Sequence, residues 1–124
     1  LGEHATIKAS PEYSIGEIKS YLQYYRDITA KTGEQLDWQY SERSFPYDQI
    51  TEKEQLIILA SSDPSYHQIV IGEAADEELS LFQIYLSPAS THGDKAKANE
   101  LAKFLAKKLK AELVLFNGRT MKFK

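Results

Sequence analysis

The chain has 124 residues, of which 42% are apolar and 27% charged, with a net charge of -3 and no cysteine. That length supports one core able to fold unaided, and the lack of cysteine excludes a disulfide scaffold, a thiolate nucleophile and any zinc site built on sulfur. No apolar run approaches the ~18–20 residues that span a bilayer, and the N-terminus lacks the basic and apolar regions of a signal peptide, so the expected location is the cytoplasm, away from membranes.

Residues 3–9, EHATIKA, alternate Ala5 and Ile7 with polar neighbours before Ser10-Pro11, the pattern of a short edge strand. Ser14 stands three residues before Glu17, where hydroxyl and carboxylate can form a capping box, and Gly33 stands where a left-handed C-cap is expected. The spacing therefore predicts a helix over residues 15–32, with Ile15, Ile18, Leu22, Tyr25 and Ile28 as its buried stripe and Tyr24 outside it. Leu36, Trp38 and Tyr40 then alternate with polar residues as a short strand or extended arm, and residues 41–54, with Pro46, read as irregular.

Three strand signals follow in Leu56–Ala60, His67–Ile71 and Leu79–Leu86, with connections short enough to favour antiparallel neighbours. In the third, Phe82, Ile84 and Leu86 share one face and Leu81, Gln83 and Tyr85 the other, giving one covered and one partly wet face. Asp94 is expected to cap a second helix running to about Lys110, with Ala98, Leu101, Ala102, Leu105, Ala106 and Leu109 as its apolar stripe. Asn117-Gly118 between apolar runs signals a C-terminal hairpin. A two-residue turn there would set Phe116 opposite Arg119, Val114 opposite Met121 and Glu112 opposite Phe123. The order β, α, β, β, β, β, α, β, β gives a single α+β domain over 1–124: a mainly antiparallel sheet packed on one face by two helices, a two-layer sandwich.

Charge is unevenly spread. Residues 1–93 carry 6 Lys/Arg against 15 Asp/Glu, whereas residues 94–124 carry 9 against 3. A basic C-terminal helix of this kind can serve nucleic acid, but an overall negative domain is repelled by phosphate, and neutralisation of the acidic body across the fold explains the same asymmetry.

No chemistry is spelled out by spacing. The three histidines, His4, His67 and His92, fall on different elements, and no Gly-x-Ser-x-Gly elbow, phosphate loop or dinucleotide fingerprint is present. No histidine pair has metal-ligand spacing, and Asp76-Glu77-Glu78 lacks the turn glycine and alternating oxygens of a calcium loop. Hence no catalytic residue, metal or cofactor is assigned. His67, in step with Ile69 and Ile71, reads as a residue at the rim of the core, while His92, before a helix, is the one histidine with few packing duties.

The unusual feature is aromatic. Tyr and Trp are favoured where one side is dry and the other wet, and Tyr24, Trp38, Tyr40 and Tyr47, with Arg26 and Arg43 as charged anchors, form a candidate binding surface. The reading is a small interaction or ligand-binding module acting through the segment around Trp38, with a second copy or another protein as partner. Its alternatives are a hydrolase or isomerase of small molecules near His92, and nucleic-acid binding along the basic helix.

The stretch EIKSYLQYYRDITAKTGEQLDWQY, the FPY that follows it, and NGRTMKF after an Ala-Lys-rich helix resemble a family of short bacterial proteins, the domain of unknown function 1885. The resemblance covers essentially the whole chain. It implies a single intracellular α+β domain and transfers no activity or catalytic residue.

Overall fold

A computed structural model describes residues 3–36, 45–75 and 78–123. Its elements in chain order are β1 (Glu3–Ala9), α1 (Ile15–Leu36), β2 (Gln49–Lys53), β3 (Leu56–Ala60), β4 (Gln68–Ala75), β5 (Ser80–Leu86), α2 (His92–Leu109), β6 (Glu112–Val114) and β7 (Thr120–Lys122). The strands form one sheet in the order β2-β3-β4-β5-β1-β6-β7, and every pairing is antiparallel. Both helices pack on one face of it, as the α+β reading expects.

The core lies between that face and the helices. Ala5, Ile7, Ile57, Leu59, Ile69, Ile71, Phe82, Ile84, Leu86 and Leu113 point into it from the sheet. Ile18 and Leu22 meet them from α1, and Leu101, Ala102 and Leu105 from α2. Small residues along α2, Ala98, Ala102 and Ala106, let its backbone approach the strands closely. The predicted α1 stripe holds through Tyr25, while Ile28 reaches the surface at 37% exposure.

The ends of both helices differ from expectation. In α1 the Glu17 carboxylate accepts from the Ser14 N–H at 2.7 Å and from its hydroxyl, which is the returning arm of the expected box. The helix then runs through Gly33 to Leu36, because Glu34, Gln35 and Leu36 all favour helix and no proline follows. In α2 the N-cap is Thr91, not Asp94. Thr91 Oγ1 accepts from the Asp94 N–H at 3.0 Å while the Asp94 carboxylate accepts from the Thr91 N–H at 3.0 Å, a reciprocal capping box. Lys110, left-handed at φ 52°, ends the helix.

Four strand expectations need correction. β1 is an inner strand between β5 and β6, not an edge; both partners come from distant parts of the chain, which local pattern does not reveal. The stretch 41–54, read as irregular, holds β2, the true edge strand. β2 is mostly polar, and its turn into β3 puts Glu54, not glycine, at φ 55°, so neither strand nor turn carries its usual signature. His67 precedes β4 and is exposed, so it does not sit at the core rim with Ile69. The expected arm at Trp38 and Tyr40 lies outside the described residues.

The fourth correction is the C-terminal hairpin, whose register is shifted by one. Leu113 pairs with Met121 and Val114 with Thr120. The Leu115 N–H donates to the Arg119 carbonyl at 2.7 Å and the Gly118 N–H to the Leu115 carbonyl at 2.9 Å, so the loop holds three residues. Gly118 at φ 86° supplies the left-handed position, while the Asn117 side chain accepts from the Arg119 N–H at 3.0 Å. This arrangement needs one positive φ, not two. The shift places Leu113 in the core and leaves Val114 on the opposite face.

Replacement of Gly118 by alanine is expected to cost about 1–2 kcal/mol, through backbone strain alone, since a Cβ there meets nothing within 4 Å. Denaturant melts of Gly118→Ala beside Asn117→Gly distinguish the loops, because only a two-residue turn would gain from the second change.

Candidate functional site

Two regions compete for the role of a site, the aromatic column under α2 and the sheet face that the helices leave open. The column begins with Tyr25 on α1, whose ring stands edge-on to Phe104 at 5.0 Å and tilted to Phe45 at 6.2 Å. Phe45 continues edge-on to Tyr47 at 5.9 Å, and Tyr47 to Tyr66 at 5.9 Å. These edge-to-face contacts suit ring quadrupoles and fill the space between the helices and the strand ends. At its far end, Tyr66 lies on the first turn of α2, where a Cβ on Gly93 would come within 2.7 Å of its ring.

At that turn the Asp94 carboxylate is fully buried. It accepts from the Tyr47 hydroxyl at 2.6 Å, from the Thr91 N–H at 3.0 Å, and from the His67 N–H at 3.1 and 3.0 Å to its two oxygens. Its place in the first turn of α2 sets it against the positive end of the helix dipole. Thr91 completes the junction, its hydroxyl donating to the Ser65 carbonyl at 2.8 Å. Burial, followed by the hydrogen bond to Asp94, pushes the Tyr47 hydroxyl well above its ordinary range.

A second polar group lies one turn along α2. Lys97, 8% exposed, pairs with Glu100 at 3.0 Å and sits 5.8 Å from the centre of the Tyr25 ring, while the Tyr25 hydroxyl donates to Glu100. Burial alone would push the Glu100 carboxyl up, but the Tyr25 hydroxyl and the Lys97 ammonium outweigh it and hold it below the usual carboxylate range. These groups satisfy one another, and among the described residues no cluster of three or more His, Cys, Asp or Glu could hold a metal. A cleft of about 280 Å³ opens beside the column, lined by Phe45, Pro46, Asp48, Ser62 and Asp63. The Asp48 carboxylate there already accepts from the Ser62 N–H at 3.0 Å and hydroxyl at 2.9 Å.

The aromatic residues singled out from sequence therefore separate. Tyr47 is 1% exposed and engaged within the chain. Tyr24, 47% exposed, lies on the outer side of α1 with the Lys108 ammonium 5.1 Å from its ring centre, and Arg26 is exposed beside Asp27. Trp38, Tyr40 and Arg43 lie outside the described residues. His92 is exposed on the first turn of α2 and is not among the residues that line the cleft. The basic helix is partly spent within the fold, with Lys97 on Glu100 and Lys95 3.6 Å from Glu3.

The open sheet face was not singled out. It carries Leu56 and Ile58 from β3, Val70 and Gly72 from β4, and Leu81, Gln83 and Tyr85 from β5. Register places Ile58 beside Val70 and Val70 beside Tyr85, a continuous apolar row, with Leu56 lying over Gly72. Leu56 and Tyr85 are 42% and 45% exposed. Lys8 lies between Leu81 and Glu112, Glu112 beside Lys122, Lys53 opposite Leu56 and His4 opposite Tyr85, so charged and ionisable groups flank the apolar row, while uncharged Thr6, Thr51, Gln68 and Gln83 lie beside or within it. The signal was present in sequence: LIILA and LFQIYL carry apolar residues at both parities, which a strand with one wet face does not need.

Tyr47→Phe removes one donor from a buried carboxylate and is expected to cost about 1.5–3 kcal/mol in denaturant melts. Because folding raises the Tyr47 pKa, its stabilisation is complete below the unfolded value of about 10 and is lost as pH rises beyond it. Stability of the wild type should thus fall more steeply above pH ~10 than that of Tyr47→Phe, which no longer has this group to ionise.

Comparison with known proteins adds kinship without chemistry. A crystal structure of a protein of unknown function from Bacillus stearothermophilus matches with 41% identity and a TM-score of 0.68, covering 90% of each chain. No curated protein matches. Residues 4–124 match the family model of the domain of unknown function 1885, so the span that folds into this sheet and its two helices belongs to that family.

Proposed function

We propose that this chain is a protein-interaction module whose contact surface is the open face of the sheet. One observation carries the reading: β3, β4 and β5 are apolar at both parities, while among the described residues the helices cover only one side. An exposed strand normally alternates apolar with polar residues, and a patch that departs from this with a polar rim has the anatomy of an interface. Placement in the cytoplasm agrees with the absence of cysteine and with the lack, among the described residues, of a helix able to cross a membrane.

A second reading keeps the surface first expected, the segment around Trp38 and Tyr40 with Arg43. The exposure of Tyr24 and Ile28 favours it, since both lie on α1 in the turns leading toward that segment, with Arg26 between them. In this reading Tyr47 acts from beneath, holding the end of the segment on Asp94 rather than touching a partner.

The two are separated by photocrosslinking in living cells, with benzoylphenylalanine in place of Tyr85, in place of Tyr24, or in place of exposed Lys107 as control. A covalent adduct from the Tyr85 position that is absent from the other two supports the sheet face. Adducts only from the Tyr24 position transfer the role to the aromatic segment, and equal labelling at all three overturns both readings.

A further inference from the structure

Resting on that reading of the sheet face, we infer that its occupant is a second copy of this chain, packed sheet against sheet about a twofold axis. Size is the first argument. The five longer strands, β2, β3, β4, β5 and β1, have 5, 5, 8, 7 and 7 residues. At ~4.8 Å between strands and ~3.3 Å per residue they present about 500 Å² of projected face, and standing side chains raise the accessible area further. That approaches the lower end of the ~600–1,000 Å² that each partner buries in a standard-size interface.

Chemistry is the second argument. The row Ile58, Val70 and Tyr85, which crosses β3, β4 and β5, bears no charge, so a copy laid along it buries no unpaired ion there. Gln68, Gln83, Thr6 and Thr51 around it are each donor and acceptor and can pair with their own kind, as an isologous contact requires. Lys8, Glu112 and Lys122 are cross-strand neighbours in one row and offset one another in part, and Lys53 ends the edge strand β2. A partner of strong opposite charge would need a charged centre, and this face has none.

Sedimentation equilibrium over 1–200 µM tests the inference. The expected result is a species of twice the 14.1 kDa chain mass, dissociating on dilution. Tyr85→Lys and Val70→Lys should each weaken association at least 100-fold while keeping the wild-type circular dichroism, and Ser20→Lys on the outer side of α1 should leave it unchanged. Tyr85 is already 45% exposed, so its replacement decides the matter if Val70→Lys fails to fold. The chain has no cysteine, so Gln83→Cys carries a single spin label; short-range dipolar broadening is expected from it and none from Ser20→Cys. A wild type that stays monomeric at 200 µM overturns the second copy, and a crosslink from position 85 to a different protein would then preserve the interaction face with another occupant. A dimer that survives Tyr85→Lys and shows no broadening at position 83 uses another surface and overturns the inference as well.

Discussion

The fully buried Asp94 carboxylate decides where three separate stretches of chain can go. A carboxylate without water must collect donors from whatever surrounds it, and here they come from the cap of α2, the entry to β4 and the segment before β2. The sheet order follows in part from this clamp. The segment through Tyr47 is tied to the start of α2, so the chain leaving it forms β2 at the edge beside β3, with β3 next to β4. The clamp adds to the β2–β3 ladder and to the Asp48–Ser62 hydrogen bonds in holding this mostly polar strand on the sheet.

Aromatic rings transmit the same constraint toward α1. Tyr47 touches Phe45, Phe45 touches Tyr25, and Tyr25 reaches Glu100 and Lys97 on the helix that bears Asp94. The polar groups at each end of this column satisfy one another, so they rigidify the junction of α1, α2 and the strand ends.

Legibility from sequence tracked the range of the interaction. α1 and α2 were visible because their stripes repeat within a few residues, and β3 and β5 because runs such as LIILA have no other use. The inner position of β1 was not legible, since it depends on β5 and β6, about 80 and 110 residues away along the chain. The hairpin register failed by one residue because Asn-Gly serves both two-residue and three-residue loops, and the choice was made by burial of Leu113, a tertiary effect. At the candidate site the same limit shows. Tyr47 could be marked as unusual, but that its hydroxyl would meet Asp94, 47 residues on, had no local signal beyond the pattern Thr91-x-x-Asp94, in which the sequence puts the cap on Asp94, three residues past the actual N-cap.

The open face carries the functional argument because the rest of the fold is closed. A two-layer arrangement gives each helix one buried stripe and each strand one buried row, and β3, β4 and β5 meet that requirement with Ile57, Leu59, Ile69, Ile71, Phe82, Ile84 and Leu86. Ile58, Val70, Leu81 and Tyr85 are not needed for that core, and a half-buried apolar row ending in exposed Tyr85 on long adjacent strands is an aggregation hazard unless something covers it. The sheet edges show the opposite treatment, with polar β2 at one side and the three-residue β7 at the other, both poor templates for strand addition. Edges blunted against association beside a face left apolar point to contact through the face.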